Sequence, residues 1–338
     1  MISGLMAGII FGFLWKRGKF CATGIIRDIY LEKQRPNLVL ILAIIFIQAF
    51  LYHLMTGLGI IPMAKFKDFP LVSVALGSFM FGFGAVMCNG CITASLVKLG
   101  DGRLTGLVSL LFFVFSAYAA KQGFLLPVTK SLGAVTLVPT PAINTQPMIL
   151  VGISGIVSAV LMFMLIKKAK AYNPKYTLPA KHTGFLHFLC EKVLQKEIIV
   201  ILMGIVMAAG FYFSNMNGRN GGFGITTPLL SWVNAIINGA KLGWASMLVL
   251  GIILGSTIAS LLTKEFSFLG TNLESIIKTA IGSVLMGIGA VWGQGCLIGN
   301  GLVGTAQFSL KSWWALLFIV IGIWSSAYIF LARSLNKD

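Results

Sequence analysis

One stretch of fifteen residues occurs twice in this chain, and the spacing of the copies limits what it can fold into. "GSFMFGFGAVMCNGC" (77–91) aligns without a gap on "GSVLMGIGAVWGQGC" (282–296), with eight identities at an offset of 205. Gly77, Ser78, Gly82, Gly84, Ala85, Val86, Gly90 and Cys91 match Gly282, Ser283, Gly287, Gly289, Ala290, Val291, Gly295 and Cys296. A weaker match at offset 200 pairs Gly4, Phe11, Gly18, Gly24 and Ile25 with Gly204, Phe211, Gly218, Gly224 and Ile225. The two matches fall in the same order at nearly the same offset, so the chain reads as two related halves.

Hydrophobic residues make up 57% of the chain and charged residues 10%, with a mean hydropathy of +0.92. A soluble domain would carry about 25% charged residues. Nine apolar runs are candidates to cross a bilayer: 2–15, 37–61, 69–87, 103–121, 147–166, 197–213, 242–262, 275–292 and 313–332. A crossing takes about 20 residues. The first run is followed by "KRGKFC" and not by a small-residue cleavage site, so it reads as a helix and not a signal peptide. The expected fold is an all-α polytopic membrane protein of about nine transmembrane helices plus short re-entrant helices and loops. Its expected parts are a first repeat (1–166), a basic linker (167–196) and a second repeat (197–338). Five spans separate the start of one repeat from the start of the other. Five is odd, so the halves are expected to point in opposite directions. Inverted repeats place a solute site near the bilayer midplane, at broken helices.

The net charge is +17, and the most basic stretch is "KKAKAYNPKYTLPAKHTGFLHFLCEKVLQK" (167–196). The positive-inside rule makes that segment cytoplasmic. Working outward, the N-terminus lies outside and "ARSLNKD" inside. "KRGKFCATGIIRDIYLEKQR" and "KLGDGR" then also lie inside. The basic loops either only set this topology or also attract an anionic solute or partner.

Four glycine-rich, polar stretches (17–30, 88–102, 214–236 and 293–309) are neither clear helix nor charged loop. Such backbone is tolerated at membrane depth where protein buries it or where it lines a cavity. Glycine permits the tight turn. The residues after each cysteine can form a short helix, whose free N–H groups favour an anion.

"KRGKFCATGIIRDIYL", "NGCITASLVKLGDGRLTG" and "GQGCLIGNGLVGTA" resemble the signature loops of the YeeE/YedE family, on its YeeE branch, over nearly the whole chain. The family includes thiosulfate importers. The resemblance implies an hourglass of membrane helices around a central constriction. It implies functional roles for Cys21, Cys91 and Cys296, and a small cytosolic TusA-like thiol protein as partner. It places no role on Cys88. Thiosulfate is a dianion with a soft terminal sulfur. Neutral thiols, weak S–H donors and polarizable, suit that sulfur while helix N–H groups hold the sulfonate oxygens. No lysine or arginine sits in the apolar part of any span, so no buried cation is expected to hold the solute. Several weak sites in succession suit conduction.

Around the cysteines, Gly90 and Gly295 belong to the candidate site. Gln294 and Asn300 either donate to oxyanions or satisfy loop backbone. Arg27 and Asp28 either support the Cys21 loop or anchor it at the interface. Gly221 occupies the repeat position of Cys21, so the pseudo-symmetry predicts three cysteines in four related loops. Cys190 reads as a small buried hydrophobe.

Two alternatives stay open. One is a transporter of a selenium compound or another sulfur oxyanion, because sulfur and selenium both prefer thiols. The other is a membrane thiol–disulfide oxidoreductase using Cys88-Asn89-Gly90-Cys91, a CxxC. Metal import is disfavoured, since the cysteines lie on separate loops and the pore lacks acidic residues. No GxxxxGK[ST] pattern, cofactor motif or nucleic-acid signature is present. The lipid bilayer is the expected setting. The topology has a direct check: a tag at the N-terminus is expected to be seen only from outside, and its detection by a cytosolic reporter contradicts the inverted arrangement.

Overall fold

The computed structural model describes residues 1–33, 36–64, 68–134, 137–138, 147–170, 195–268 and 270–332. Every apolar run forms a helix. The long ones are α1 (Ile2–Arg17), α3 (Pro36–Gly57), α4 (Leu71–Met87), α6 (Leu104–Lys121), α8 (Pro147–Lys170), α9 (Lys196–Met216), α11 (Trp244–Leu262), α12 (Leu273–Trp292) and α14 (Leu310–Ala327). Short helices lie between them: α2 (Ala22–Leu31), α5 (Ile92–Gly100), α7 (Leu126–Ala134), α10 (Thr226–Asn238) and the π-helical α13 (Leu297–Gly304). Two-residue strands β1 (Phe69–Pro70) and β2 (Leu137–Val138) pair antiparallel.

Eight segments among the described residues are long and apolar enough to cross a membrane, α4 reaching that length together with α5. The ninth expected span, α1, has 16 residues. That is about 24 Å of helix against a hydrocarbon core of about 30 Å. It tolerates the deficit because its Gly4, Gly8 and Gly12 face lies directly on α11 backbone. Most of the basic linker, residues 171–194 with Cys190, lies outside the described residues, as does the C-terminal 333–338.

The packing repeats under exchange of α1–α6 with α9–α14. Helix α1 packs on α11, and α9 on α3. Helix α4 packs on α14, and α12 on α6. The short helices obey the same exchange: α5 touches α6 and α11, while α13 touches α14 and α3. The pairs that meet their own counterparts, α4 with α12 and α1 with α9, mark the two-fold axis. Both run antiparallel. The Met1 amine at the start of α1 donates to Asn217 Oδ1 just past the end of α9, at 3.1 Å. Gly18, just past the end of α1, lies on Ile199 near the start of α9. The halves therefore point in opposite directions, as the odd span count predicts. Helix α8 packs on α3 and α9 and has no counterpart among the described residues, so the symmetric part of the first half closes at α6.

The α4–α12 crossing explains the repeated glycines. Gly84 lies on Gly282 and Gly77 on Gly289, the same contact made twice by the two-fold relation. A Cβ on Gly282 would sit 2.7 Å from Gly84 O, and one on Gly289 2.6 Å from Gly77 O. Backbones that approach this closely gain dispersion contacts in a bilayer, where no hydrophobic force drives helices together. At one end of the molecule an ion cluster joins the halves. Lys16 of α1 pairs with Asp101 after α5 at 2.8 Å and with Glu265 after α11 at 3.0 Å. The Lys16 hydrogen bond holds the Glu265 carboxyl below the usual carboxylate range. A depressed carboxylate pKa stabilises the fold above the ordinary carboxylate range, and the contribution is lost as pH falls through the folded value.

Gly84→Leu and Gly282→Leu should each abolish most monodisperse protein in size-exclusion chromatography of detergent extracts. Overpacking a tight contact costs about 1–3 kcal/mol or more. Gly152→Leu, at a site with nothing within 4 Å, should behave as wild type.

Candidate functional site

Three turns in this molecule are built alike, and each delivers a cysteine. Helices α1, α4 and α12 end at Gly18, Cys88 and Gly293. The next residue turns left-handed: Lys19 at φ 46, Asn89 at φ 50 and Gln294 at φ 53. The residue after that closes a six-to-one hydrogen bond back into the helix: Phe20 N to Trp15 O (3.1 Å), Gly90 N to Ala85 O (2.8 Å) and Gly295 N to Ala290 O (2.9 Å). This is a Schellman turn, which satisfies the last carbonyls of the helix. Gly90 and Gly295 continue at φ 145 and 157, where a side chain is strained.

The fourth residue is Cys21, Cys91 or Cys296, and each is the N-cap of the next short helix. Their carbonyls accept the first helical hydrogen bonds, from Ile25, Ser95 and Asn300. The free N–H groups of α2, α5 and α13 therefore open beside the thiols, where a helix carries partial positive charge.

The fourth turn departs from this pattern. Gly218 at φ 74 and the Arg219 N to Ser214 O bond (3.1 Å) repeat the Schellman geometry. The chain then runs on to Ile225 before α10 begins. On this geometry Asn220, not Gly221, follows the turn where Cys21 does. Gly221 lines a cavity instead.

Two cavities open at opposite ends of the molecule. The one at the far end of α12 has a volume of about 400 Å³ and is lined by Cys296, Gln294, Gly295 and Asn300, with Arg219 and Lys311. The one at the near end of α12 has about 360 Å³ and is lined by Cys88, Asn89, Lys98, Arg103 and Lys278. Cys91 lies inside the protein, 1% exposed, within electrostatic reach of both Cys21 and Cys296. Gly90 faces Cys21, since a Cβ there would lie 3.8 Å from its Sγ. Cys21 is half-buried, and its sulfur accepts from Gly24 N at 3.4 Å, which leaves its S–H for another acceptor.

The remaining candidates hold the turns in place. Asn300 Nδ2 donates to Gly293 O at 2.7 Å. Arg27 pairs with Asp28 at 2.9 Å and reaches Asn89 Oδ1 at 3.3 Å, tying α2 to the Cys91 turn. Cys88 is turned away from Cys91 toward α12, with its sulfur 3.2 Å from Thr279 O and 3.2 Å from Ser283 Oγ.

Sequence reasoning missed the lysines. Lys98 Nζ donates to Cys88 O (2.9 Å) and Asn89 O (3.0 Å), and Lys311 Nζ donates to Gln294 O (3.4 Å). Asn89 and Gln294 are equivalent turn residues, so each turn is clasped by an ammonium. Lys98 was legible: it follows Cys91 by seven residues, two helical turns, on the same face of α5. Ammonium groups therefore stand beside the turns that carry Cys91 and Cys296, outside the apolar part of the spans where none is expected.

The Cys88 geometry sets a test. Cys88→Ser keeps a polar group for Thr279 and Ser283 and should retain much of the wild-type activity. Cys88→Val removes the sulfur contacts to Thr279 O and Ser283 Oγ, but Ser283 still donates to Ser109 Oγ at 2.9 Å. Folded yield in membranes should therefore fall only modestly, by the scale of one neutral hydrogen bond, about 1 kcal/mol.

A family model described as Sulphur transport matches residues 17–325. Thiosulfate transporter TsuA of Escherichia coli (strain K12) is 28% identical over 340 residues, covering 100% of this chain and 96% of that protein. Thiosulfate transporter TsuA of Spirochaeta thermophila (strain ATCC 700085 / DSM 6578 / Z-1203) is 29% identical over 342 residues, covering 98% and 99%.

Proposed function

The chain belongs to the sulphur transport family, and from that premise we propose that it carries thiosulfate inward across a bacterial inner membrane. The observation that carries this reading is the run of N-cap cysteines between two cavities, with Cys91 within reach of both Cys21 and Cys296. The names of the two relatives point to thiosulfate among soft oxyanions. On this reading the N-terminus and the Cys296 cavity face outside. The Cys88 cavity faces the cytoplasm, where a TusA-like carrier takes the product. The units 1–166 and 197–338 are joined by the basic linker, and the part of the first that repeats ends at α6.

The physical logic follows from the solute. A dianion moving toward a negative interior works against about 2.3 kcal/mol per charge per 100 mV. Helix N-termini offset its desolvation, while the Lys98 ammonium beside the Cys91 turn is engaged on the turn carbonyls. A thiol adds a polarizable contact to the terminal sulfur and, being neutral, does not repel it. Three such contacts in series keep each one weak enough to leave. Gly90, Gly295, Gln294 and Asn300 shape the turns that present them, and Arg27 with Asp28 braces the inner turn. The orientation of Cys88 away from Cys91 gives the redox alternative no paired thiols to work with.

Labelled thiosulfate uptake into proteoliposomes, with sulfate and selenite as competitors, tests this. Cys21→Ser, Cys91→Ser and Cys296→Ser should each cut the rate about tenfold or more at unchanged membrane expression. That is the scale of one lost contact to a charged group. Full activity in Cys91→Ser and Cys296→Ser would reduce these turns to packing.

A further inference from the structure

The inner cavity has a chemistry that the cysteine path does not use. Its walls hold Lys98, Arg103 and Lys278, and among the described residues they carry no carboxylate. Lys278 is neutralised by Glu274 one turn away. Arg103 is exposed to the cavity. The Lys98 ammonium has three N–H donors. Two are taken by Cys88 O and Asn89 O, so one remains. Cys21, Cys88 and Cys91 all lie within electrostatic reach of that ammonium. Thr271 and Thr279 add hydroxyls to the same walls.

We propose that this inner cavity is a second anion site, in which Lys98 and Arg103 hold the sulfonate end of the solute after it passes Cys91. The proposal rests on the thiosulfate reading above and adds an exit station to it. Charge-assisted hydrogen bonds from ammonium and guanidinium are about twice as strong as neutral ones, and a guanidinium grips oxyanions through two parallel donors. The solute therefore leaves weak thiol contacts for stronger charged ones at the inner end, where a consuming reaction removes it. Lys98 also clasps the turn that presents Cys91. An oxyanion on its third donor thus sits beside the backbone that shapes the constriction.

A reporter thiol in the cavity tests the site apart from transport. Ser275→Cys places it in the wall, and its alkylation in unsealed membranes is read by peptide mass spectrometry. At constant ionic strength, thiosulfate should slow the alkylation. Lys98→Gln and Arg103→Gln, each added to Ser275→Cys, should raise the thiosulfate concentration for half-protection by about fivefold or more, the scale of 1 kcal/mol. Lys98→Arg should keep protection. Absence of protection, or protection weakened only by Lys98→Gln, overturns the site and leaves the lysine as a brace for the turn. Uptake by the Ser275→Cys protein in proteoliposomes keeps the two readings apart. Uptake without protection sinks the inner site alone. Protection without uptake upholds the site and sinks the transport reading. Neither sinks both.

Discussion

The rest of the structure depends on the crossing of α4 and α12, where backbone touches backbone at Gly77 with Gly289 and at Gly84 with Gly282. In a bilayer, helices associate through close packing and not through exclusion of water. A larger residue at any of these four positions would push the helices apart. Both helices end a few residues beyond the crossing, and their ends are the Cys91 and Cys296 turns. The contact that fixes the two-fold axis therefore also fixes the separation of the two turns, which lie at opposite ends of it.

From that axis outward, one local device is used three times. A helix ends in a Schellman turn, the next residues reverse the chain, and a cysteine caps a short helix. The device meets two demands together. It satisfies the last carbonyls of one helix inside the membrane, where an unmet polar backbone group costs several kcal/mol. It also turns the first N–H groups of the next helix toward a thiol, which in α2 accepts one of them from Gly24. The same backbone bonds that make the turn stable at that depth make it a binding surface for an anion. Lys98 and Lys311 complete the arrangement by holding the turn carbonyls at Asn89 and Gln294.

Much of this was legible in the sequence, and the reasons are specific. The matched glycines reported the helix crossing, because only glycine survives such contact in both copies. The apolar runs reported every long helix, since hydrocarbon demands length and apolarity together. The cysteines stood out because each closes a glycine-rich or basic turn. Other features were hidden for physical reasons. The amide of Asn300 is committed to Gly293 O, which depends on how α13 folds back over its own turn. The extra residues between Arg219 and Ile225 shift the start of α10 while glycines on both sides keep an ungapped alignment plausible, so Gly221 looked like the partner of Cys21. Lys98 looked like a topology signal, because a basic residue near a loop is what the positive-inside rule expects. Its seven-residue spacing from Cys91 carried the other meaning.

The central claim is that the solute meets thiols and helix N-termini together, at the capped turns between the two cavities. Anomalous diffraction from crystals soaked in selenosulfate, with selenium in place of the terminal sulfur, locates that atom directly. The account predicts a selenium peak in contact with the sulfur of Cys296 or Cys91, with the sulfonate oxygens over the first N–H groups of α13 or α5. Selenium held only by side chains of the outer cavity, with no peak at Cys296 or Cys91, would contradict it.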